Sequence, residues 1–188
     1  MKKKFLTIWT VLLVAMLMTS TVSAGGAIGL SGSPGARSPL KLEGYLTGLG
    51  GYPDGVTIKL TGSGIPITLC TSPGGNEAPG QNPPKITVSG SESIDDPNII
   101  KNGKAPVNVE TENMVGTTLP GNQGGCPNNK WRATIVDIQW TDALVEVTNN
   151  TINATPHLLL RATYQCFARP DIGPSAYDCT LTDLFRDH

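Results

Sequence analysis

Three pairs of neighbouring carboxylates are the residues of this chain that most readily suggest chemistry. They are Asp95 with Asp96, Asp137 with Asp142, and Glu110 with Glu112. Glycoside hydrolysis places two carboxyl groups across a bond, one as proton donor and one as base or nucleophile. Each pair lies in or beside a predicted turn, where carboxylates commonly cap and solvate the backbone. A hydrolase that uses loop carboxylates is therefore an alternative interpretation rather than the first one.

Nucleophilic catalysis has less support, because the chain contains only two histidines. His157 follows a proline at the start of a predicted strand, and His188 is the last residue. No Gly-x-Ser-x-Gly motif accompanies them. We therefore expect no histidine-based catalytic site and, on balance, no enzyme.

A short acidic segment offers oxygen ligands of the kind that calcium prefers. The candidate ligands are Glu92, Asp95, Asp96 and Asn98. Their spacing differs from that of an EF-hand loop, and a solvated acidic turn has the same composition. Calcium is the one cofactor that the sequence suggests, because no Cys-x-x-Cys motif is present to bind zinc.

Aromatic and amide side chains suggest a site for a sugar or another ligand. The candidate ligand-binding residues are Trp131, Trp140, Tyr52, Asn76 and Gln81. If residues 131–140 formed one unbroken strand, the two tryptophan rings would lie on opposite faces. They would then not form a single platform, and core packing would explain at least one of them.

The N-terminal 24 residues have the three parts of a secretory signal. Lys2, Lys3 and Lys4 precede an apolar run over residues 5–18, and small residues lead up to a predicted cleavage after Ala24. The apolar run is shorter than the roughly 20 residues that a membrane-spanning helix needs. The sequence therefore predicts a secreted, extracellular protein, with a membrane anchor as the rival interpretation.

Cleavage leaves 11 Lys and Arg against 15 Asp and Glu, a net charge of −4. This balance, without a basic patch, argues against nucleic acid and against anionic membranes as partners. Many glycines and prolines and the absence of helix-period patterns indicate strands joined by ordered turns. We predict a flexible Gly/Ser/Pro leader over residues 25–39 and a single β domain over residues 40–188.

The four cysteines of an exported chain favour two disulfides. Three pairings are possible, and we favour Cys70 with Cys126 and Cys166 with Cys179 because the second pair is close in sequence. That bridge would tie down a C-terminal tail in which we predict no strand after Phe167. The chain-entropy model gives about 3 kcal/mol for the short loop and about 4 kcal/mol for the long one.

About eight β-prone runs follow one another along the mature chain, and two pairs of them resemble hairpins. Val56, Ile58 and Leu60 alternate with polar residues, and a second alternating run follows the Gly62-Ser63-Gly64 segment, which we interpret as a turn. Runs at 131–138 and 143–148 form the second predicted hairpin. One-sided strands of this kind predict an all-β fold, an antiparallel β-sandwich of immunoglobulin-like or similar type, with a small closed β-barrel as the alternative.

Two long Pro-, Gly- and Asn-rich loops cover residues 71–84 and 112–130. Together with Cys70, which directly precedes the first loop, they contain the pattern Cys-Thr-Ser-Pro-Gly-Gly-Asn, Ala-Pro-Gly-Gln-Asn-Pro and Gly-Cys-Pro-Asn. This pattern resembles a functionally uncharacterised family of small secreted β-rich bacterial and fungal proteins. The resemblance covers roughly residues 42–148. It implies a sandwich-like domain with a Cys70 to Cys126 bridge, and it implies no activity.

Our leading hypothesis is a secreted, non-catalytic domain with a structural, adhesive or ligand-binding role, whose partner is an extracellular glycan or protein. The two long loops are its predicted contact surface, because restrained loops commonly carry binding sites. Two alternatives remain. One is the hydrolase, and the other is an exported inhibitor that presents loop 71–84 to a target enzyme.

Overall fold

The structure is a computed structural model that describes residues 28–32, 34–36, 38–52, 54–96, 98–150, 156–169, 171 and 176–187. The predicted signal sequence and His188 lie outside these residues. The described chain contains eleven strands and one short 3-10 turn, η1. They are β1 (Gly29–Ser31), β2 (Pro34–Ala36), β3 (Lys41–Thr47), η1 (Leu49–Gly51), β4 (Val56–Thr71), β5 (Glu77–Pro79), β6 (Ile86–Ile94), β7 (Lys104–Glu110), β8 (Thr118–Pro120), β9 (Arg132–Asn149), β10 (Leu158–Ala168) and β11 (Tyr177–Arg186).

The strands pair antiparallel in the order β1-β3-β2-β11-β10-β9-β4-β5, and β6, β7 and β8 add to β4, β3 and β9. The predicted all-β, antiparallel class is confirmed, and the arrangement is sandwich-like. The series of neighbouring strands does not close on itself, so the closed barrel that the sequence left as an alternative is not formed.

Alternation along β4 decides which side chains enter the core. Val56, Ile58 and Leu60 are fully buried, whereas Lys59 between them is exposed, as the sequence predicted. They join one hydrophobic cluster with side chains from the distant strands β3 and β10, such as Leu42 and Leu160. Burying a side chain of this size contributes roughly 1.5–3 kcal/mol, so this cluster is the main stabilising element of the fold.

Neither predicted hairpin exists. Residues 56–71 form the single strand β4, which runs straight through Gly62-Ser63-Gly64, and residues 132–149 form the single strand β9. The two strands pair with each other along their whole lengths. Register shifts opposite Ser63 and Ile67 leave Thr141 and Val136 of β9 as bulge residues. Bulges let long strands bend without reversing direction.

The two glycines serve close packing instead of a turn. A Cβ atom on Gly62 would lie 2.7 Å from Cζ3 of Trp140, and one on Gly64 would lie 2.6 Å from the carbonyl oxygen of Gln139. Neither glycine has a positive φ. Sequence alone does not distinguish a glycine needed for contact from one needed for a turn.

The two ends of the domain also contain more strand than the sequence predicted. Residues 29–31 and 34–36, assigned to a flexible leader, form β1 and β2 against β3 and β11. The tail forms β11, which pairs with β10 along its length. Such strands are stabilised by backbone hydrogen bonds, which need no hydrophobic periodicity, and this is why the pattern missed them.

Both disulfides have the pairing that the sequence favoured, Cys70–Cys126 and Cys166–Cys179. The first joins β4 to the loop before β9. The second joins directly opposed residues of β10 and β11. The N-terminal part of β11 is therefore covalently linked to β10.

Candidate binding surface

A groove of about 350 Å³ crosses the outer face of β4, β9 and β10. Its lining includes Thr61, Ser63, Asp142, Leu144, Arg161 and Thr163. Thr61, Leu144 and Thr163 are cross-strand neighbours in one row, and Ser63 and Asp142 are neighbours in the next. Directly opposed residues share a face of the sheet. The groove is thus built from the polar side of strands whose other side forms the core.

Charges of both signs border the groove. Asp142 pairs with Lys85, and Thr141 Oγ1 donates a hydrogen bond of 2.8 Å to its Oδ2 atom. The hydrogen bonds from Lys85 and then Thr141 lower the pKa of Asp142. Arg161 Nη2 lies 2.8 Å from Glu146 Oε1. At neutral pH the groove therefore presents an ionised acceptor and a guanidinium donor to a ligand.

An exposed aromatic ring flanks the groove. Phe185 of β11 is the cross-strand neighbour of Arg161, so the two side chains share the outer face. The side chain is 48% exposed. Asp183 is likewise the neighbour of Thr163. Phe185 was not among the sequence-predicted site residues because no strand was predicted after Phe167. Leu184 and Phe185 are adjacent apolar residues, and β11 is exposed from Thr180 onward, so hydrophobic alternation does not mark this part of the strand.

A second hollow, of about 270 Å³, lies where the Cys70–Cys126 disulfide joins the two long loops. Its lining residues are Thr71, Ser72, Pro73, Lys130 and Arg132. Lys130 also borders an adjoining, more open hollow with Asn128 and Asn129. The disulfide thus brings the two long loops together at this end of the sheet.

Local hydrogen bonds hold the loops that form this second hollow. Ser72 N donates to Asn76 O at 2.8 Å, and Asn76 N donates to Ser72 Oγ at 2.9 Å. Lys130 N donates to Asn128 Oδ1 at 2.9 Å. Gln81 N donates to Gly125 O at 2.8 Å, which joins one loop to the other. Within loop 71–84, β5 folds back on β4, and residues 73–76 form an exposed tip.

Both hollows open on the same face of β4. The even-numbered residues of this strand are buried, and the odd-numbered Thr61, Ser63 and Thr71 point the other way. Between the hollows the same face exposes Ile65 (39%) and Ile67 (47%). The outer face of the β4–β9 pair is therefore one continuous strip with a hollow at each end and an apolar stretch between them.

The predicted ligand-binding residues do not come together. Trp140 is 1% exposed and packs on Gly62 in the core, so its ring is not presented at the surface. Trp131 is half-buried just before β9, and Tyr52 packs against the core. Asn76 lies at the exposed loop tip, and Gln81 lies in the stretch tied to Gly125. The bulges in β9 bring Trp140 to the inner face, which the spacing alone did not reveal.

Two of the candidate calcium ligands, Asp96 and Glu92, accept hydrogen bonds from protein groups, one within its own turn and one from the neighbouring strand β7. Asp96 Oδ1 accepts from both Asn98 N and Asn98 Nδ2 at 2.8 Å. Glu92 Oε2 accepts from the backbone N–H of Asn108 at 2.9 Å, and Asp95 is exposed in the segment after β6. Across the described part of the chain, no three His, Cys, Asp or Glu side chains are grouped to hold a metal ion.

Two further candidate catalytic carboxylates, Glu110 and Asp137, have partners. Glu110 pairs with Lys41 at 3.0 Å, and Asp137 accepts a hydrogen bond from Ser38 Oγ at 3.3 Å. His157 Nε2 contacts Asp187, at the end of β11. The pKa values of the carboxyl groups of Asp142 and Asp171 are both lowered, by hydrogen bonds from Lys85 and Arg169 respectively. A general acid requires the opposite direction.

None of the helical structure in the described residues is long and apolar enough to cross a bilayer. Comparison with known proteins adds no family to these observations: no protein-family model matches the chain, and no curated protein matches its sequence.

Proposed function

We propose that this chain is a secreted, non-catalytic domain that binds an extracellular glycan on the outer face of β4, β9, β10 and β11. The observation that carries the proposal is the groove beside Phe185, in which an ionised carboxylate, a guanidinium and three hydroxyls lie next to an exposed aromatic ring.

The groove matches the chemistry of a sugar. Sugar hydroxyls both donate and accept hydrogen bonds. Asp142 accepts, Arg161 donates, and the hydroxyl of Thr163 does both. The apolar C–H face of a sugar ring packs on an aromatic ring and on side chains such as Leu144. All of these groups belong to strands, so little conformational entropy is lost when the ligand binds.

The state of the carboxyl groups favours binding over hydrolysis. Asp142, which lies in the groove, has a lowered pKa because of Lys85 and Thr141 and so holds no proton to donate at neutral pH. The predicted signal sequence and the two disulfides support an extracellular location, where glycans are the abundant polar polymers of cell surfaces.

A glycan array probed with the mature chain, residues 25–188, followed by titration calorimetry on the retained glycan, tests the proposal. We expect Phe185→Ala to weaken binding about tenfold, equivalent to about 1.4 kcal/mol. Phe167→Ala is the matched control, because Phe167 is also an exposed outer-face residue of the β10–β11 pair but lies away from the groove. Retention of no glycan, or equal affinities for Phe185→Ala and wild type, would refute the proposal.

A further inference from the structure

We infer that the hollow at the Cys70–Cys126 end is a subsite for an anionic group, so that the ligand of the outer face is an acidic glycan extending from the groove to this hollow. The inference rests on the proposed function and names the class of its ligand. A uronate carboxylate and a sulfate ester share the required chemistry.

The cations of this hollow differ from those of the groove in their partners. Lys85 and Arg161 pair with Asp142 and Glu146. Within the described residues, neither Lys130 nor Arg132 has a carboxylate oxygen within 4.0 Å. Two like charges that border one hollow repel each other, and a bound anion converts that repulsion into attraction. An arginine beside a lysine is well suited to a planar carboxylate or a sulfate.

The neutral groups of the hollow are also suited to an anion. Ser72 Oγ already accepts the N–H of Asn76, so its hydroxyl proton is available to donate. Thr71 supplies a second hydroxyl, and Asn129 borders the adjoining hollow with a side-chain amide. The nearest strand neighbour of opposite charge is Glu77, opposite Thr71 on the side away from Arg132. Two strand spacings, about 10 Å, therefore separate Glu77 from Arg132.

The surface between the groove and the cationic hollow suits an extended glycan. Ser63 and Thr71 are eight residues apart on one face of β4, which is about 26 Å at roughly 3.3 Å per residue. Ile65, Ile67 and the bulge residue Val136 expose apolar surface along this path. Asp137, the cross-strand neighbour of Ile67, accepts hydrogen bonds from Ser38 and from the backbone N–H of Ile138. A polymer that crosses this stretch thus meets apolar contacts between two polar sites.

The position of the anionic subsite is restrained. Cys70 directly precedes Thr71, and its disulfide to Cys126 joins the end of β4 to the loop that contains Lys130. Asn128 O accepts the N–H of Trp131 at 3.2 Å, which closes the turn around Lys130. The backbone that carries the two cations is therefore restrained relative to the groove, as binding of one continuous ligand requires.

Charge-matched glycans test the inference. We would measure affinities for acidic polymers, namely polygalacturonate, alginate and heparin, and for neutral ones, namely fully methyl-esterified pectin and dextran. We expect acidic glycans to bind more than tenfold more tightly than neutral ones, with an affinity that falls as salt increases. The double variant K130Q/R132Q should lose this preference by at least tenfold while its melting temperature stays close to wild type.

The control is K101Q/K104Q, which removes the same charge where a tight turn leads into β7, whose first residue is Lys104. It should bind acidic glycans like wild type. If the tightest ligand is neutral and Phe185→Ala abolishes its binding while K130Q/R132Q does not, the subsite is refuted and the proposed function stands. If the control weakens binding as much as K130Q/R132Q, the attraction is a net-charge effect and the subsite is again refuted. Binding of no glycan refutes both proposals.

Discussion

The ring of Trp140 lies against the backbone of Gly62, with no room for a methyl group between them. A Cβ atom on Gly62 would lie 2.7 Å from Cζ3 of the ring and 3.0 Å from Cδ2 of Leu40. This contact is where the two longest strands, β4 and β9, cross the core just before a bulge. Trp140, one of the candidate ligand-binding residues, thus packs these two strands together in the core.

Gly62→Ala should destabilise the protein, because the added methyl group forces Trp140 or Leu40 to move within a packed core. We expect a loss of about 1–3 kcal/mol in the free energy of unfolding, measured by urea denaturation. Gly50→Ala is the control, since a Cβ atom there meets nothing within 4 Å and should change stability by less than about 0.5 kcal/mol. Equal stabilities for the two variants would contradict the close contact.

Thr68→Val should destabilise the domain by about 1–3 kcal/mol, because it leaves a buried carbonyl without its donor. Thr68 is 4% exposed, and its Oγ1 donates a hydrogen bond of 2.6 Å to the carbonyl oxygen of Gly124. Thermal unfolding of Thr68→Val would be compared with that of Thr180→Val, an exposed threonine of β11. A Thr68→Val protein as stable as the control would show that the buried hydrogen bond contributes nothing.

Removal of Cys70–Cys126 by double substitution to serine should cost more stability than removal of Cys166–Cys179. The bridged residues are separated by 56 positions in the first case and by 13 in the second. The chain-entropy model gives losses of about 4 and about 3 kcal/mol. Guanidinium denaturation of both variants measures the order. The reverse order would mean that the pairing of β11 with β10 depends on the Cys166–Cys179 disulfide more than the two long loops depend on Cys70–Cys126.

Ionisation of Asp142 should make the stability of the fold depend on pH in the acidic range. Its pKa in the folded state is lowered from 3.8 because Lys85 and then Thr141 hydrogen-bond its carboxylate. The unfolded chain therefore binds this proton more readily, so the stabilisation is complete above the unfolded pKa and is lost as the pH falls through the folded one. Asp142→Asn should show a smaller drop in melting temperature between pH 5 and pH 2.5 than wild type.

Asp54→Asn is the reference for this pH series, because Asp54 is an exposed residue of the turn before β4. Lys85→Gln should reproduce the effect of Asp142→Asn, since it removes the same ion pair. Identical acid sensitivity in wild type, Asp142→Asn and Lys85→Gln would disprove the assignment.

The hydrophobic pattern of short segments was sufficient to predict part of the fold. The alternation of Val56, Ile58 and Leu60 correctly predicted a strand with one buried face. It failed at Gly62 and Gly64, where a turn and a continuous strand have the same local signature. The sequence did not predict the residues of the groove for a related reason. Phe185 and Arg161 meet only through the register of β10 and β11, and no local signal in either strand specifies that register.

The amino-acid sequence by itself determined the all-β class and the buried face of the first long strand, because side-chain periodicity is a property of short segments. It favoured the cysteine pairing that the structure contains without excluding the other two. The three-dimensional structure decided that β4 and β9 continue through their glycine and bulge positions, that the two ends of the domain add strands, and that groove, apolar stretch and cationic hollow share one face. These features depend on which backbone hydrogen bonds form between distant segments, and such pairing is selected by the packing of the whole core.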